Sequence, residues 1–245
     1  MPRGRCHFSL LNALHERFRL EYPNVAALAD RFLADFIAGS VAPDGLRYIG
    51  GKSKLDTHFY TEDRPDTWGH AVARMFQAHP DLADPNQLSE QNQVLILGYI
   101  SHLTGDEAFR DVVTYQGHGI EEWRPTVRGL WSLVDEFSIK YEELALQLDR
   151  FNRQDCIGFI DCGMIRNYLR EIRPWAVETD PWVIEKVFLE LIGSKLEKIQ
   201  AQKIWKENLK LASDFLDVER CEKFVDRAVQ MSLEETVKYL EKGYC

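Results

Sequence analysis

Apolar residues recur at the three- and four-residue spacing of an α-helix along most of the chain. The first two such stretches cover residues 8–20 and 24–38. A later stretch, opened by an Asp84 cap and Pro85, continues to Leu103 with apolar residues on almost every side, which is typical of a central buried helix. Because alternation with a period of two is scarce, the sequence predicts an all-α protein built as a multi-helix bundle.

The same spacing predicts the remaining helices. Between residues 39 and 65, however, the chain is rich in Gly, Pro and Asp and has no period, so we predict one long loop. Ser232 and Glu235 have the spacing of a capping box, which predicts that the last helix begins there. The other predicted helices run from Asp66 to about residue 78 and over residues 125–150, 155–172, 179–191 and 195–215.

Composition narrows the class of protein. The chain has 245 residues and a net charge of -9, so no basic surface indicates a nucleic-acid partner. Its five cysteines are scattered without a CxxC pair, which argues against a cysteine zinc site and a disulfide framework. The N-terminus lacks the apolar run of a signal peptide, and no stretch is long enough to span a membrane. We therefore expect a cytoplasmic protein.

Histidine is distributed unevenly. The second half of the chain, 119–245, contains none, and Asp44 and Asp106 lie among the histidines of the first half. Divalent ions of the zinc type bind nitrogen and oxygen donors of this kind, so the asymmetry indicates a metal site. The seven histidines are His7, His15, His58, His70, His79, His102 and His118.

His102 and Asp106 form the most specific local pattern. Residues four positions apart lie on one face of a helix, so both side chains can reach one ion. Their helix is very apolar, and burying the two groups there is costly unless they are paired or bind a metal. On this motif alone, a His–Asp hydrogen-bonded pair without a metal is the better explanation. Asp44 and His58 add two candidates in the predicted loop, although a lone loop aspartate is most often a turn residue.

Together these motifs resemble a known family over residues 5–110. In order they are His7, Gly-x-x-Ala-Pro-Asp at 39–44, Thr-His-Phe at 57–59 and Leu-Gly-Tyr-Ile-Ser-His-Leu-x-x-Asp-Glu at 97–107. This order is similar to that of the zinc-dependent phospholipase C family, an all-helical fold shared with single-strand-specific nucleases. The resemblance implies that Asp44 bridges two metal ions, that His58, His102 and Asp106 complete one coordination sphere, and that His7 holds a further ion shared with Asp106.

The chain departs from the family after Asp106. Family members supply two more histidines and a glutamate there, often as H-x-x-x-E, whereas this chain has only His118. The second metal site therefore uses other donors or is absent. We expect a side chain of this segment to lie near the metal, the alternative being a solvated turn at 116–119. The candidates are His118, Glu121, Glu122, Asp135 and Glu136.

These observations predict a helical metal-site region, 1–118, and a helical C-terminal portion, 119–245, packed on it as one continuous domain. The predicted function is a metal-dependent hydrolase of a phosphoester, with a metal-bound hydroxide as the nucleophile and Asp44 as bridging ligand or base. Zn²⁺ is favoured by the resemblance, while Fe²⁺ and Mn²⁺ also suit the donors. The substrate would be a small or lipid-like molecule. Two alternatives stay open: an oxygen- or substrate-activating metalloenzyme of specialised metabolism, and a non-catalytic helical protein whose His–Asp pairs are structural.

Overall fold

The computed structural model describes residues 2–61, 63–115, 123–136 and 143–244. It confirms an all-α multi-helix bundle, in which the described sheet is one small hairpin, β1 Cys156–Ile157 and β2 Ile160–Asp161. No helix among these residues is long and apolar enough to cross a membrane. The helices of the described ranges are α1 Gly4–Glu21, α2 Pro23–Arg31, α3 Leu33–Gly39, α4 Ala42–Tyr48, α5 Lys54–His58, α6 Ala71–Ala78, α7 Glu90–Phe109, α8 Trp123–Glu136, α9 Leu144–Arg150, α10 Cys162–Glu171, α11 Pro174–Val177, α12 Pro181–Leu191, α13 Lys198–Ser213 and α14 Val218–Lys242.

Helix α7 is the central element, as its apolar sequence predicts. Every residue from Val94 to Phe109 is buried, and α3 and α14 pack along it. Where α3 crosses α7, Gly39 and Gly98 bring the two backbones into contact. A Cβ atom added to Gly98 would lie 2.2 Å from the Phe36 carbonyl oxygen, and one added to Gly39 would lie 2.2 Å from that of Leu95. This crossing sets the end of α3 against the middle of α7.

The start of α1 is fixed by a buried cluster of ions. The Nε atom of Arg3 lies 2.8 Å from Asp135 of α8, and one of its terminal nitrogens lies 2.5 Å from Glu185 of α12. The other terminal nitrogen donates a hydrogen bond to Ser132 at 2.8 Å. A buried guanidinium is tolerated only when it is paired in this way. The cluster therefore fixes α1 against two helices of the second half.

The main hydrophobic core contains residues of both halves, from Phe8 of α1 to Tyr239 of α14. A smaller cluster joins Cys6 and Phe109 to Phe224. The two regions predicted from the sequence thus share buried contacts.

The prediction of one long loop over residues 39–65 is wrong, because α4 and α5 lie within it. Pro43 is in the first turn of α4, where its missing N–H needs no partner. Ser53 caps α5 by accepting a hydrogen bond from the Asp56 N–H at 3.1 Å. Helices of seven and five residues are too short to show an apolar period, which explains the error.

The predicted starts of two long helices also need correction. Asp84 caps only a three-residue 3₁₀ turn, and α7 begins after Ser89, which accepts from the Asn92 N–H. The Ser232–Glu235 capping box lies inside α14, which begins after Asp217. There the Ser232 hydroxyl bonds to the carbonyl of the preceding turn, as serine does within a helix.

Two other predicted helices are divided. The stretch 24–38 is broken at Phe32 into α2 and α3, and the stretch 155–172 begins with the hairpin before α10. Gly158 has a positive φ of 55° in the turn of that hairpin, a conformation that glycine adopts at little cost. Propensity alone did not reveal either interruption.

Candidate metal centre

Four helices bring the five sequence-predicted donors together in the interior. His7 comes from α1, Asp44 from the first turn of α4, His58 from the end of α5, and His102 and Asp106 from α7; all five are buried. His7 Nε2 lies 3.4 Å from Asp106 Oδ1, and His58 Nε2 lies 3.5 Å from Asp44 Oδ1. His102 Nε2 lies 3.8 Å from Asp106 Oδ2, as expected for positions four apart on a helix.

The donors form two overlapping groups, which share His102. One consists of His7, His102 and Asp106, the other of Asp44, His58 and His102. Within each group the possible ligand atoms all lie within 4.8 Å of one another. These buried imidazoles and carboxylates can therefore hold a metal ion.

Hydrogen bonds fix which imidazole nitrogens carry protons. His102 Nδ1 lies 2.8 Å from the Ser40 carbonyl oxygen, which can only accept. Thr57 Oγ1 donates to the Ser53 carbonyl, so it accepts from His58 Nδ1 at 2.8 Å. In both neutral rings the lone pair is therefore on Nε2, the arrangement found in metal-binding histidines.

These two Nε2 atoms face each other at a distance of 3.2 Å. Two lone pairs repel at that distance unless a cation, either a proton or a metal ion, lies between or beside them. Within the described chain, Asp44 Oδ1, Asp106 Oδ1 and both ring nitrogens of His7 also make no hydrogen bond. Buried polar atoms without partners are rare in folded proteins, so these atoms are available as ligands of an ion.

The electrostatics favour the protonation states that bind metals. Burial, followed by the neighbouring His7, lowers the pKa of His102 to about 3. Burial also lowers the pKa of His58. Burial opposes the ionisation of Asp44 and Asp106, but the surrounding imidazoles outweigh it and lower the pKa of both carboxyls. At neutral pH the site thus presents neutral His58 and His102 imidazoles and ionised Asp44 and Asp106 carboxylates.

Neighbouring side chains hold the donors in place. The Tyr99 hydroxyl donates to the Thr57 carbonyl at 2.6 Å and so fixes the residue that orients His58. The His7 ring stacks on the His102 ring with 3.8 Å between centroids. These contacts hold the three histidine rings in place, so this part of the cluster is preorganised.

A cavity of about 350 Å³ lies beside the site, and Asp44 forms part of its wall. Aromatic rings form much of the cavity wall, and most of these rings come from the histidine-free half of the chain. The Tyr168 hydroxyl is buried there near the Asp44 carboxylate and makes no hydrogen bond of ordinary geometry with any residue in the described ranges. The aromatic residues are Tyr48, Trp131, Tyr168, Trp175 and Phe188.

The cavity is also lined by cationic side chains, in a chain whose net charge is -9. Arg3 is neutralised by its two carboxylate partners. The Arg47 guanidinium lies over the Tyr48 ring at 5.3 Å, and Lys54 Nζ lies over the Tyr60 ring at 4.4 Å. Arg128, which is exposed on α8, is the other cationic residue that lines the cavity. Concentrated positive charge of this kind attracts an anionic ligand.

The second-half residues that were candidates for the metal site have different outcomes. Asp135 binds Arg3 and belongs to neither donor group. His118, Glu121 and Glu122 lie outside the described residues, as does the side chain of Glu136. Sequence analysis missed Tyr168 and Phe188, because their helical spacing indicates a buried face but not the space that the face lines.

Neither family models, curated proteins nor solved structures gave a match to this chain. The resemblance to the zinc-dependent phospholipase C family therefore stays a prediction, based on short motifs around the donors. Support for a function comes from the geometry of the described residues.

Glu107 provides a pH-dependent test of the interior. Burial raises the pKa of its carboxyl from 4.5 to about 7, although its Oε1 accepts a hydrogen bond from the Ala71 N–H. The folded state then keeps a proton that the unfolded chain releases, so this group reduces stability as the pH rises from 4.5 to above 7. In chelator-treated protein, Glu107→Gln should add up to about 3 kcal/mol to the free energy of unfolding at pH 8. Near pH 4.5 the difference should almost vanish.

Glutamine keeps an acceptor for Ala71, so the variant changes the charge and little else. Thermal melts of both proteins at the two pH values measure the effect. Equal melting temperatures at pH 8 would show that the buried carboxyl carries no ionisation penalty.

Proposed function

We propose that the protein is a metal-dependent hydrolase of phosphoesters, related to the zinc-dependent phospholipase C family. The observation that supports this most directly is the shared donor cluster, with its facing His58 and His102 nitrogens, at the wall of a cationic cavity. The cluster provides a place for an ion, and the cations provide a place for a phosphate. Hydrolysis at such a site needs no serine or cysteine nucleophile, because a metal-bound water can attack the phosphorus.

His7, Asp44, His58, His102 and Asp106 are the proposed ligands. Nitrogen and carboxylate donors suit Zn²⁺, and also Fe²⁺ or Mn²⁺. When bound, such an ion lowers the pKa of a coordinated water and polarises a phosphoryl oxygen. The first requirement of this chemistry is that the donors are deprotonated at neutral pH, and the lowered pKa values of Asp44 and His102 support it.

Asp44 is the proposed catalytic residue. Its carboxylate is ionised, forms part of the cavity wall and has an oxygen without a hydrogen-bond partner among the described residues. It can therefore serve as a ligand and accept the proton of the attacking water. Water oxygen bonds to phosphorus, the ester P–O bond breaks, and the leaving oxygen takes a proton from solvent. Arg47 and Lys54, close by in sequence, neutralise the charge of the phosphate.

Metal analysis combined with an activity assay tests the proposal. Protein purified without a histidine tag should contain at least about one equivalent of a transition metal, because five buried donors bind it in the native state only. Hydrolysis of bis(p-nitrophenyl) phosphate should disappear with chelator and return with zinc. The melting temperature should fall on chelation, because the ion stabilises the folded state.

Other outcomes would support the alternatives. Bound iron without esterase activity would favour an oxygen-activating enzyme, since Asp44, His58 and His102 are also a two-histidine, one-carboxylate set. Less than about half an equivalent of metal, with an unchanged melting temperature in chelator, would leave the His–Asp pairs as structural elements.

A further inference from the structure

The aromatic rings that line the cavity are held in fixed positions. The Phe188 ring meets the Trp131 ring edge-on, with 5.8 Å between centroids and an interplanar angle of 73°. It meets Tyr48 in the same way at 6.5 Å and 88°. Trp175 is fixed by a hydrogen bond from its indole N–H to the Ile184 carbonyl at 3.1 Å. Edge-to-face packing holds these rings in place, so the cavity presents a rigid apolar wall.

Polar groups occur at restricted positions on this wall. Tyr168 contributes a buried hydroxyl that lies near the Asp44 carboxylate but makes no hydrogen bond of ordinary geometry with any described residue. Arg47 and Arg128 contribute positive charge from α4 and α8, and Asp44 joins the cavity to the donor cluster. A ligand that satisfies these groups needs an anionic part for Arg47 and Arg128, an oxygen for the Tyr168 hydroxyl and an apolar part against the rings.

We propose that the substrate is a small, soluble organic phosphoester with a planar apolar group. That group lies among Trp131, Tyr168 and Phe188, its phosphate lies between Arg47 and Arg128, and its ester oxygen accepts a hydrogen bond from Tyr168. The cavity volume of about 350 Å³ is at the lower end of the range for small-molecule sites, which favours this class over a polynucleotide or a bilayer lipid. The proposal rests on the proposed function, and hydrolysis releases the planar alcohol and a phosphate.

Phosphonates that cannot be hydrolysed test the apolar part directly. Binding of phenylphosphonate and methylphosphonate to the metal-loaded protein is measured by isothermal titration calorimetry. Phenylphosphonate should bind about ten-fold more tightly or better, because the additional ring is buried in the cavity. Equal affinity would overturn the proposal, as would displacement of phenylphosphonate by phosphatidylglycerol vesicles or by a single-stranded oligonucleotide.

Matched variants test which residues contact the phenyl ring and which contact the phosphonate group. Phe188→Leu should reduce the preference for the phenyl compound to less than about three-fold, since the ring contact is lost. Trp182→Leu lies on the same helix, outside the cavity, and should keep the full preference. Arg128→Gln should weaken both phosphonates equally, whereas Arg124→Gln, on the exposed surface of the same helix, should weaken neither. An equal loss of preference in Phe188→Leu and Trp182→Leu would overturn the proposed position of the ring.

The two proposals fail in different ways. Hydrolysis of bis(p-nitrophenyl) phosphate without any preference for phenylphosphonate would overturn the inferred substrate class alone. Preference for phenylphosphonate, lost in Phe188→Leu, in a protein without hydrolytic activity would overturn the proposed function and support the ligand class of the cavity.

Discussion

The His102→Ala variant is expected to lose its metal ion, and with it phosphodiesterase activity, by on the order of 100-fold or more. His102 is the residue that both donor groups share, so its removal leaves each group with two donors. Its Nδ1 proton is held by the Ser40 carbonyl, which aims Nε2 at the other donors. No other described imidazole lies where it could replace this nitrogen in both groups.

Metal content, measured by mass spectrometry on folded protein, is the primary measurement. His70→Ala is the matched control, because His70 is exposed and belongs to neither donor group. In chelator, the melting temperature of His102→Ala should be close to that of the wild-type protein. This comparison distinguishes loss of the metal from misfolding of the variant. Full metal content in both variants would remove the basis for the proposed centre.

Gly98→Ala is expected to destabilise the protein by at least about 3 kcal/mol. The new Cβ would lie 2.2 Å from the Phe36 carbonyl oxygen and 2.8 Å from the Cα of Gly39. Both atoms belong to the backbone of α3, so relief requires the helices to separate. Separation would also move Ser40 away from His102, so the variant should bind metal more weakly as well.

Denaturant unfolding measures this effect. Gly163→Ala is a suitable control, since it is also helical and its Cβ would meet only the Asp161 carboxylate at 3.1 Å. That change should alter stability by less than about 1 kcal/mol. If Gly98→Ala were equally mild, α3 and α7 could not be as close as the structure has them.

The long helices could be predicted from the sequence, whereas positions that depend on the packing of short helices could not. The bundle follows from the apolar periodicity of its amphipathic helices, and the central helix follows from its apolar residues on almost every side, which are typical of a buried helix. The proximity of His102 and Asp106 could also be predicted, because residues four positions apart lie on the same face of a helix. Asp44 and His58 became candidates mainly through the resemblance, since only the packing of α4 and α5 on neighbouring helices brings them to α7.

Local signals failed where tertiary contacts dominate. The Ser232 pattern indicates a helix start, yet α14 passes through it because this turn packs on α7, where the Ser232 and Thr104 hydroxyls lie 2.6 Å apart. Tyr168 and Phe188 reach the cavity through helix packing that no spacing encodes. The spatial grouping of the five candidate residues could therefore be predicted from the sequence, whereas the cavity next to them could not.

The cavity has a consequence for how such a protein can diverge. All five proposed donors lie within the first 106 residues, whereas Trp131, Tyr168, Trp175 and Phe188 come from the second half. Substitutions in the later helices can reshape the ligand pocket without altering a single donor. The proposed metal centre can thus be retained while the molecule that binds in the cavity changes. Selection for a new substrate would act first on the second half of the chain.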